Sequence, residues 1–185
     1  MIVDPLGDAR TVINIGAGGG NYEPTDRILT AVEPSLEMIT QRTTGAGTAV
    51  RGVAEALPSR DQTLDAAPAT FTLHHWSKVA AGLNEMRRVA KRQVILLFEP
   101  SESLKFWLVE YFPECLALPS ETGAPGMDDV RAHLNVHTVA PVPIPADCTD
   151  GFAGAYWRRF EAYLEPAVRA REYIQFGLAV AGRRR

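Results

Sequence analysis

The sequence predicts an α/β fold, a single domain built on a doubly wound and mostly parallel sheet. Two observations carry that prediction. Short apolar runs rich in β-branched residues alternate with amphipathic stretches of helical period, and such alternation places helices on the faces of a parallel sheet. The first apolar run also stops at Gly16-Ala17-Gly18-Gly19-Gly20, the signature of a buried strand entering a tight turn. At 185 residues the chain has the length of one domain. Hydrophobic residues at 46% and charged residues at 22% sit near globular averages, which excludes collagen, coiled coil and extended disorder.

Taken in order, Thr11-Val12-Ile13-Asn14-Ile15 is the first strand. The second, Ile28 to Val32, ends at Glu33-Pro34-Ser35, where Ser35 can cap a helix reaching about Arg42. Only 13 residues separate Ile15 from Leu29 and Pro24 lies among them, so any helix between these strands is about one turn. Ala49 to Val53 is a third strand, and Leu64 to Leu73 a fourth that contains Pro68. Between Lys78 and Lys91, Val79, Leu83, Met86 and Ala90 recur at helical spacing, with Arg87, Arg88 and Lys91 off that stripe. Gln93 to Phe98 reads as the clearest buried strand and stops at Glu99-Pro100.

In the second half, Ser103 to Phe112 reads as helix and Leu118 to Asp129 as a Pro/Gly-rich loop. Thr138 to Ile144 could be an edge strand, with Pro141 and Pro143 excluding a central position. Phe152 to Glu172 holds two helical stretches divided at Pro166, and Ile174 to Val180 reads as a closing strand before the Arg183-Arg184-Arg185 tail.

The net charge is -3, and the three closing arginines leave -6 on the rest. That balance points away from nucleic acid, whose phosphates require a positive patch. No apolar run of membrane-spanning length and no leader pattern at Met1-Ile2-Val3-Asp4-Pro5 is present, so a cytoplasmic protein is expected. Cys115 and Cys148 are then read as free thiols. Arginine supplies 16 of the 19 basic residues, which with the many alanines suggests the coding bias of a G+C-rich bacterial genome. His133, His137 and the cysteines lack a compact ligand framework, and no metal is expected.

A strand ending in Gly16-x-Gly18-x-Gly20 lets backbone approach a ligand closely where side chains would block it. The dinucleotide fingerprint G-x-G-x-x-G is broken, since its third glycine falls on Asn21 or Glu23. Glu33 lies 17 residues after Gly16 at the end of the next strand, where a carboxylate can accept hydrogen bonds from both ribose hydroxyls. Alone it would read as a solvated strand end; with the turn, it points to a ribose-bearing cofactor.

Val12 to Tyr22 resembles motif I of class I S-adenosylmethionine-dependent methyltransferases, and Val32-Glu33-Pro34-Ser35 with Met38 resembles their second motif. Gly52 to Pro58 is similar to the segment bordering adenine, Asp65 through His74-His75-Trp76 to the strand-4 motif beside the methionine moiety, and Leu83 to Val89 to the helix after it. Five elements in order over residues 11 to 100 resemble the small-molecule methyltransferases of the type 11 group. The resemblance implies a Rossmann-like sheet of seven strands, the last antiparallel. It implies S-adenosylmethionine as cofactor, S-adenosylhomocysteine as product, and a small-molecule methyl acceptor. Residues 1–100 would form the cofactor half, and 101–185 the acceptor-pocket and sheet-closing half. The implied cofactor-binding residues are Asn14, Gly16, Ala17, Gly18, Gly20, Tyr22, Glu33, Pro34, Met38, Ala54, Glu55 and Phe71. The sequence departs from the family pattern at Asn14, where an acid is usual, at Val53, where an acid is frequent, and at Pro68 in the fourth strand. The helix that commonly precedes the first strand is not expected in the ten residues before Thr11.

His75 is the candidate catalytic base, because an imidazole near neutral pKa can take a proton from a hydroxyl or amine; a structural histidine is the competing reading. His74, Trp76, Asp147 and Asp150 are candidate acceptor contacts. Trp76, Tyr22 and Phe71 could present π faces to a sulfonium or be core, and Asp150 could equally cap the helix that follows. Two rival functions are a methyltransferase-fold binding module without catalysis and a nicotinamide oxidoreductase. The broken fingerprint and the lack of a Tyr-x-x-x-Lys pair count against the second.

Overall fold

The computed structural model describes residues 3–103, 105, 107–111, 113–117, 123–148 and 153–166. Five strands, β1 (Thr11–Ile15), β2 (Ile28–Glu33), β3 (Ala49–Arg51), β4 (Leu64–Thr70) and β5 (Ala90–Leu96), form one sheet in the order β3-β2-β1-β4-β5. Every pairing is parallel. Strand order therefore reverses between β1 and β4, and a doubly wound sheet opens its binding crevice at such a point, beyond the carboxyl ends of the strands.

The alternation of side chains along β1 sorts the core onto two faces. On one, Ile13, Ile15, Val32, Ala67 and Ala69 pack with Leu83, Met86 and Val89 of helix α3 (Val79–Val89). On the other, Val12 and Ala66 pack with Leu6 of the short helix α1 (Val3–Leu6) and with Ala9. β4 is nearly all alanine at its centre, and its small side chains are fully buried between β1 and β5. Pro68 stays inside this strand: the register that pairs Val12 with Ala66 and Ile15 with Ala69 sets it opposite Asn14, while β5 pairs with β4 on both sides of it. The strand thus accommodates a residue that can donate no ladder bond.

Helix α2 (Leu36–Thr40) begins at Ser35, whose Oγ accepts from Met38 N–H at 3.2 Å, as the capping pattern predicts. α3 runs directly into β5 because Gln62 caps its last carbonyls, donating from Nε2 to Arg87 O at 2.6 Å and from its N–H to Arg88 O at 2.8 Å. Arg88 in turn donates to Glu85, Asp61 and the carbonyls of Leu57 and Ser59, which fastens the β3–β4 connection to α3. At the amino end of the sheet, Asp65 Oδ2 accepts from Thr11 N–H at 3.0 Å, Thr11 Oγ1 at 2.9 Å and Arg10 N–H at 3.1 Å. These bonds, the one from Thr11 N–H foremost, hold its pKa well below the ordinary carboxylate range.

Several expectations need correction. The described residues hold five strands, not seven. Thr138 to Ile144 forms no strand, since Pro141, Pro143 and the following Pro145 remove donors along it. The closing strand at 174–180 lies outside the described residues. The β1–β2 connection is made of turns, in keeping with the expectation that any helix there be no longer than about one turn. The stretch read as loop before Asp129 gives way to helix α6 (Met127–His133), where Asp129 accepts from Gly126 N–H at 2.9 Å and Glu99 from Met127 N–H at 2.9 Å. The single helix expected over 103–112 is instead two short ones, α4 (Pro100–Ser103) and α5 (Trp107–Tyr111), and the described residues from 153 to 166 form 3-10 turns.

The chain divides into two compact units, Met1–Glu99 with Ala124–Val136, which holds the sheet, and Pro100–Gly123 with His137–Arg185. In the second, Arg159 donates to the carbonyl of Cys148 and lies over the Tyr156 ring, and Tyr156 meets Tyr163 edge to face.

Met86 is fully buried at the centre of the larger core. Met86→Ala is expected to lower unfolding free energy by about 2–5 kcal/mol, as large-to-small core substitutions do, read from urea denaturation with the slope of the transition unchanged.

Candidate functional site

β1, β2 and β4 bring together the residues that the sequence singles out at their carboxyl ends. Gly16 and Ala17 both donate to Val32 O, at 2.9 and 3.1 Å, so the turn is tied to β2 as it leaves β1. Gly16 has φ +65°, and a Cβ there would lie 1.9 Å from Thr72 Oγ1 just past β4; the turn and the end of β4 approach too closely for any side chain. Gly20 N–H closes the turn on Ala17 O at 3.0 Å. The outer face of Gly19 is open, and Gly18 faces only the Met38 methyl, 3.5 Å from where a Cβ would stand.

Glu33, at the end of β2, is 6% exposed. Its Oε2 accepts from Gly18 N–H at 2.8 Å and its Oε1 from Ser35 N–H at 2.9 Å. One carboxylate therefore joins the glycine turn to the start of α2, and each oxygen keeps a further lone pair for a hydroxyl donor. Met38, whose methyl faces Gly18, and Val53, next to the Gly52 whose N–H donates to Glu33 O, are exposed apolar side chains, 38% and 45% accessible. Pro34 is exposed and its carbonyl accepts from Arg51 Nε at 3.3 Å. A buried carboxylate, an open glycine cradle and exposed apolar side chains fit a cofactor with a ribose diol and a flat base.

Asn14 is buried and donates from Nδ2 to Glu23 Oε1 at 3.2 Å. Glu23 is held by Arg42, whose NH2 lies 2.6 Å from both carboxylate oxygens, with side chains 3% and 8% exposed. Sequence reasoning missed this pair, because nothing local links residues 19 positions apart.

After β4, Phe71 takes a left-handed backbone, φ +50°, unusual for an aromatic residue. Its ring stacks on Phe98 at 4.4 Å and meets Tyr22 edge-on at 6.2 Å, forming an aromatic cluster beside the glycine turn. His74 and His75 follow on one 3-10 turn with ring centroids 4.0 Å apart. His75 is exposed, whereas His74 is half-buried; burial foremost, then the adjacent His75, push its pKa down to about 4.

Trp76 is partly buried against the main core, with Gly82 leaving room for its ring, and Ala54 is in that core. Glu55 Oε1 accepts from Ser77 Oγ at 3.0 Å and Lys78 N–H at 2.9 Å, ahead of α3. Burial opposes its ionisation, yet the bonds from Lys78 and Ser77 outweigh that and lower its pKa. Asp65 lies at the amino end of β4, away from the glycine turn. Asp147 is exposed on a turn of the second unit, and Asp150 lies outside the described residues. Among the described residues no group of metal-ligating side chains occurs, and no helix is long and apolar enough to cross a membrane. A wide depression of about 700 Å³ lined by residues 7–10 and 25–28 opens at the amino end of the sheet, opposite this chemistry.

Comparison with known proteins agrees with this geometry. Residues 13–98 match the family described as methyltransferase domain. No curated protein sequence matches the chain. A crystal structure from Anabaena variabilis ATCC 29413, assigned as a methyltransferase from an antibiotic biosynthesis pathway, is similar at 28% identity and TM-score 0.76, over 92% of this chain and 77% of that one. A SAM-dependent methyltransferase of Thermotoga maritima is 21% identical with TM-score 0.55, over 71% of this chain and 66% of its own. The YcgJ protein of Bacillus subtilis is 24% identical with TM-score 0.52, over 72% of this chain and 63% of its own. The last two likenesses concern the fold, and this chain spans just under two thirds of each. Residues 13–98 are thus similar to the methyltransferase-domain family, and the parallel sheet agrees with the class I fold of S-adenosylmethionine-dependent methyltransferases.

Proposed function

We propose that this protein transfers a methyl group from S-adenosylmethionine to an O, N or C nucleophile of a small molecule. The observation that carries the reading is Glu33, a buried carboxylate poised between the Gly18 and Ser35 amides at the end of β2. When bound, the cofactor supplies an activated methyl group on a sulfonium, already a good leaving group. The protein's task is then chiefly to hold the acceptor in line and keep water out.

Glu33 accepts from the ribose hydroxyls, Met38 and Val53 cover the base, and the Gly18–Gly19 face of the turn admits the amino-acid end. Tyr22, Phe71 and Phe98 wall the crevice beside the end of β4 and exclude water there. His75, exposed at that end, takes the proton that an acceptor hydroxyl or amine sheds, and His74, neutral at pH 7, packs against it. The antibiotic-pathway assignment of the similar Anabaena variabilis protein fits a small-molecule acceptor. A cytoplasmic setting, where Cys148 stays a free thiol, belongs to the same proposal.

The second reading, a binding module without catalysis, is favoured by one observation. The N–H groups of Gly16, Ala17, Gly18 and Gly20 all have partners within the protein. Transfer of labelled methyl from the cofactor to any acceptor in a metabolite extract separates the two readings.

Calorimetric titration with S-adenosylhomocysteine is expected to show micromolar binding that Glu33→Gln weakens by about 1–3 kcal/mol, the scale of charge-assisted hydrogen bonds. Equal affinity of both proteins would remove Glu33 from the site. The depressed pKa of His74 sets a pH dependence of stability. The unfolded chain takes up this proton near 6.5 and the folded one only near 4, so stability is complete above about pH 6.5 and declines as pH falls between these values. Melting temperature is expected to drop more between pH 7 and pH 5 in the wild type than in His74→Gln; parallel drops would refute the assignment.

A further inference from the structure

The β1–β2 connection carries the glycine turn yet contains no helix, so something else must fix the orientation of its peptides. We propose that Glu23 and Arg42 form a positioning clamp that sets the Gly18 peptide for cofactor binding, an inference that rests on the cofactor reading above.

Arg42 reaches back from beyond α2 and donates from NH1 to Gly18 O at 3.1 Å, and from NH2 to Gly47 O at 2.9 Å and to both Glu23 oxygens. Glu23 also receives Gly47 N–H at 2.8 Å and Asn14 Nδ2 at 3.2 Å, so three donor groups make four hydrogen bonds to it. The next residue, Thr43, grips the neighbouring carbonyl: its N–H lies 2.9 Å and its Oγ1 3.3 Å from Gly19 O. Gly18 is thereby tied through both of the peptides that meet at its Cα. Its carbonyl is drawn toward Arg42, and its amide points to Glu33. A glycine at φ +51° rotates readily unless the peptides on both sides of it are tied, and rotation at Gly18 would turn its amide away from Glu33.

Two features set the pair apart from ordinary packing. An enclosed ion pair is a weak source of net stability, because desolvating both charges offsets their attraction. Arg42 Nε is moreover buried with no hydrogen-bond acceptor among the described residues, a cost that an apolar pair of the same volume would avoid. What the pair supplies that apolar side chains cannot is direction, a fork of donors aimed at one carboxylate and two carbonyls.

The test replaces the clamp with apolar residues of similar volume, Glu23→Leu with Arg42→Met, in the full chain. We expect a melting temperature near that of the wild type, faster hydrogen exchange at the Gly18 and Gly19 amides, and at least about tenfold weaker S-adenosylhomocysteine binding, a loss of about 1.4 kcal/mol. A folded double variant with unchanged exchange would overturn the proposal, whatever its affinity. Should the double variant fail to fold, Asn14→Asp with Glu23→Gln moves the carboxylate across one hydrogen bond. Restoration of amide protection and of binding relative to Glu23→Gln alone supports the clamp, and no restoration refutes it. Absence of binding to the wild type would defeat the cofactor reading alone, while amide exchange still decides whether the clamp holds the turn.

Discussion

A carboxylate with almost no exposed surface must be surrounded by donors, and much of the geometry under the glycine turn follows from meeting that demand for Glu23. Its donors arrive from the end of β1 through Asn14, from the loop after α2 through Gly47, and from Arg42. These three come from two separate stretches of chain, β1 and the connection after α2, so satisfying one buried charge draws residues 42–47 beneath the turn. Close approach follows: a Cβ on Gly20 would stand 2.7 Å from Ala46 Cβ, and one on Gly47 2.5 Å from Leu29 Cδ2. The glycines at the ends of this arrangement answer as much to the packing of the protein against itself as to space for a ligand.

The same economy of size governs the sheet. Ala66, Ala67 and Ala69 keep β4 thin at the centre, and its end passes near enough to the glycine turn for Thr72 to fill the space at Gly16. Beyond this point Phe71 adopts its left-handed backbone, held by its N–H on Leu96 O at 2.8 Å and by the stack on Phe98. Non-glycine residues in this region carry strain that surrounding contacts must offset. Here the contacts come from β5 and Tyr22, so the ends of three connections are coupled at one aromatic cluster beside the crevice.

Strands and the long helix were legible because their signals are local. β-branched runs gave β1 and β2, and the Leu83–Met86 spacing gave α3, each within the span of one element. Glu33 was legible for a related reason, since its distance from Gly16 is set by one strand and one connection. Asp129 capping Gly126 is also local, but Gly123, Pro125 and Gly126 hid the start of α6 behind a loop-like composition. Glu55 was read with the adenine-bordering segment, yet its carboxylate binds Ser77 and Lys78, partners over 20 positions away. Glu23–Arg42 belongs to the same class: the identity of a buried polar partner depends on tertiary approach, which no periodicity encodes.

The saturation of the turn's own amides bears on how a ligand could be gripped. Gly16 and Ala17 share one carbonyl, Gly20 closes on Ala17, and Gly18 is committed to Glu33. A ligand oxygen that took the Gly18 N–H would release one bond to Glu33, and exchanging one hydrogen bond for another yields little net free energy. On the cofactor reading proposed above, affinity would come from contacts that are not exchanged: the unused lone pairs of Glu33, the open face of Gly19, and the apolar area of Met38 and Val53 removed from water. Because the turn already has its internal bonds, it need not reorganise before a ligand arrives, and the ordering cost of binding is correspondingly small. On that reading, a preformed turn whose amides are already paired would select ligands by the hydroxyls and apolar surface they bring to its rim.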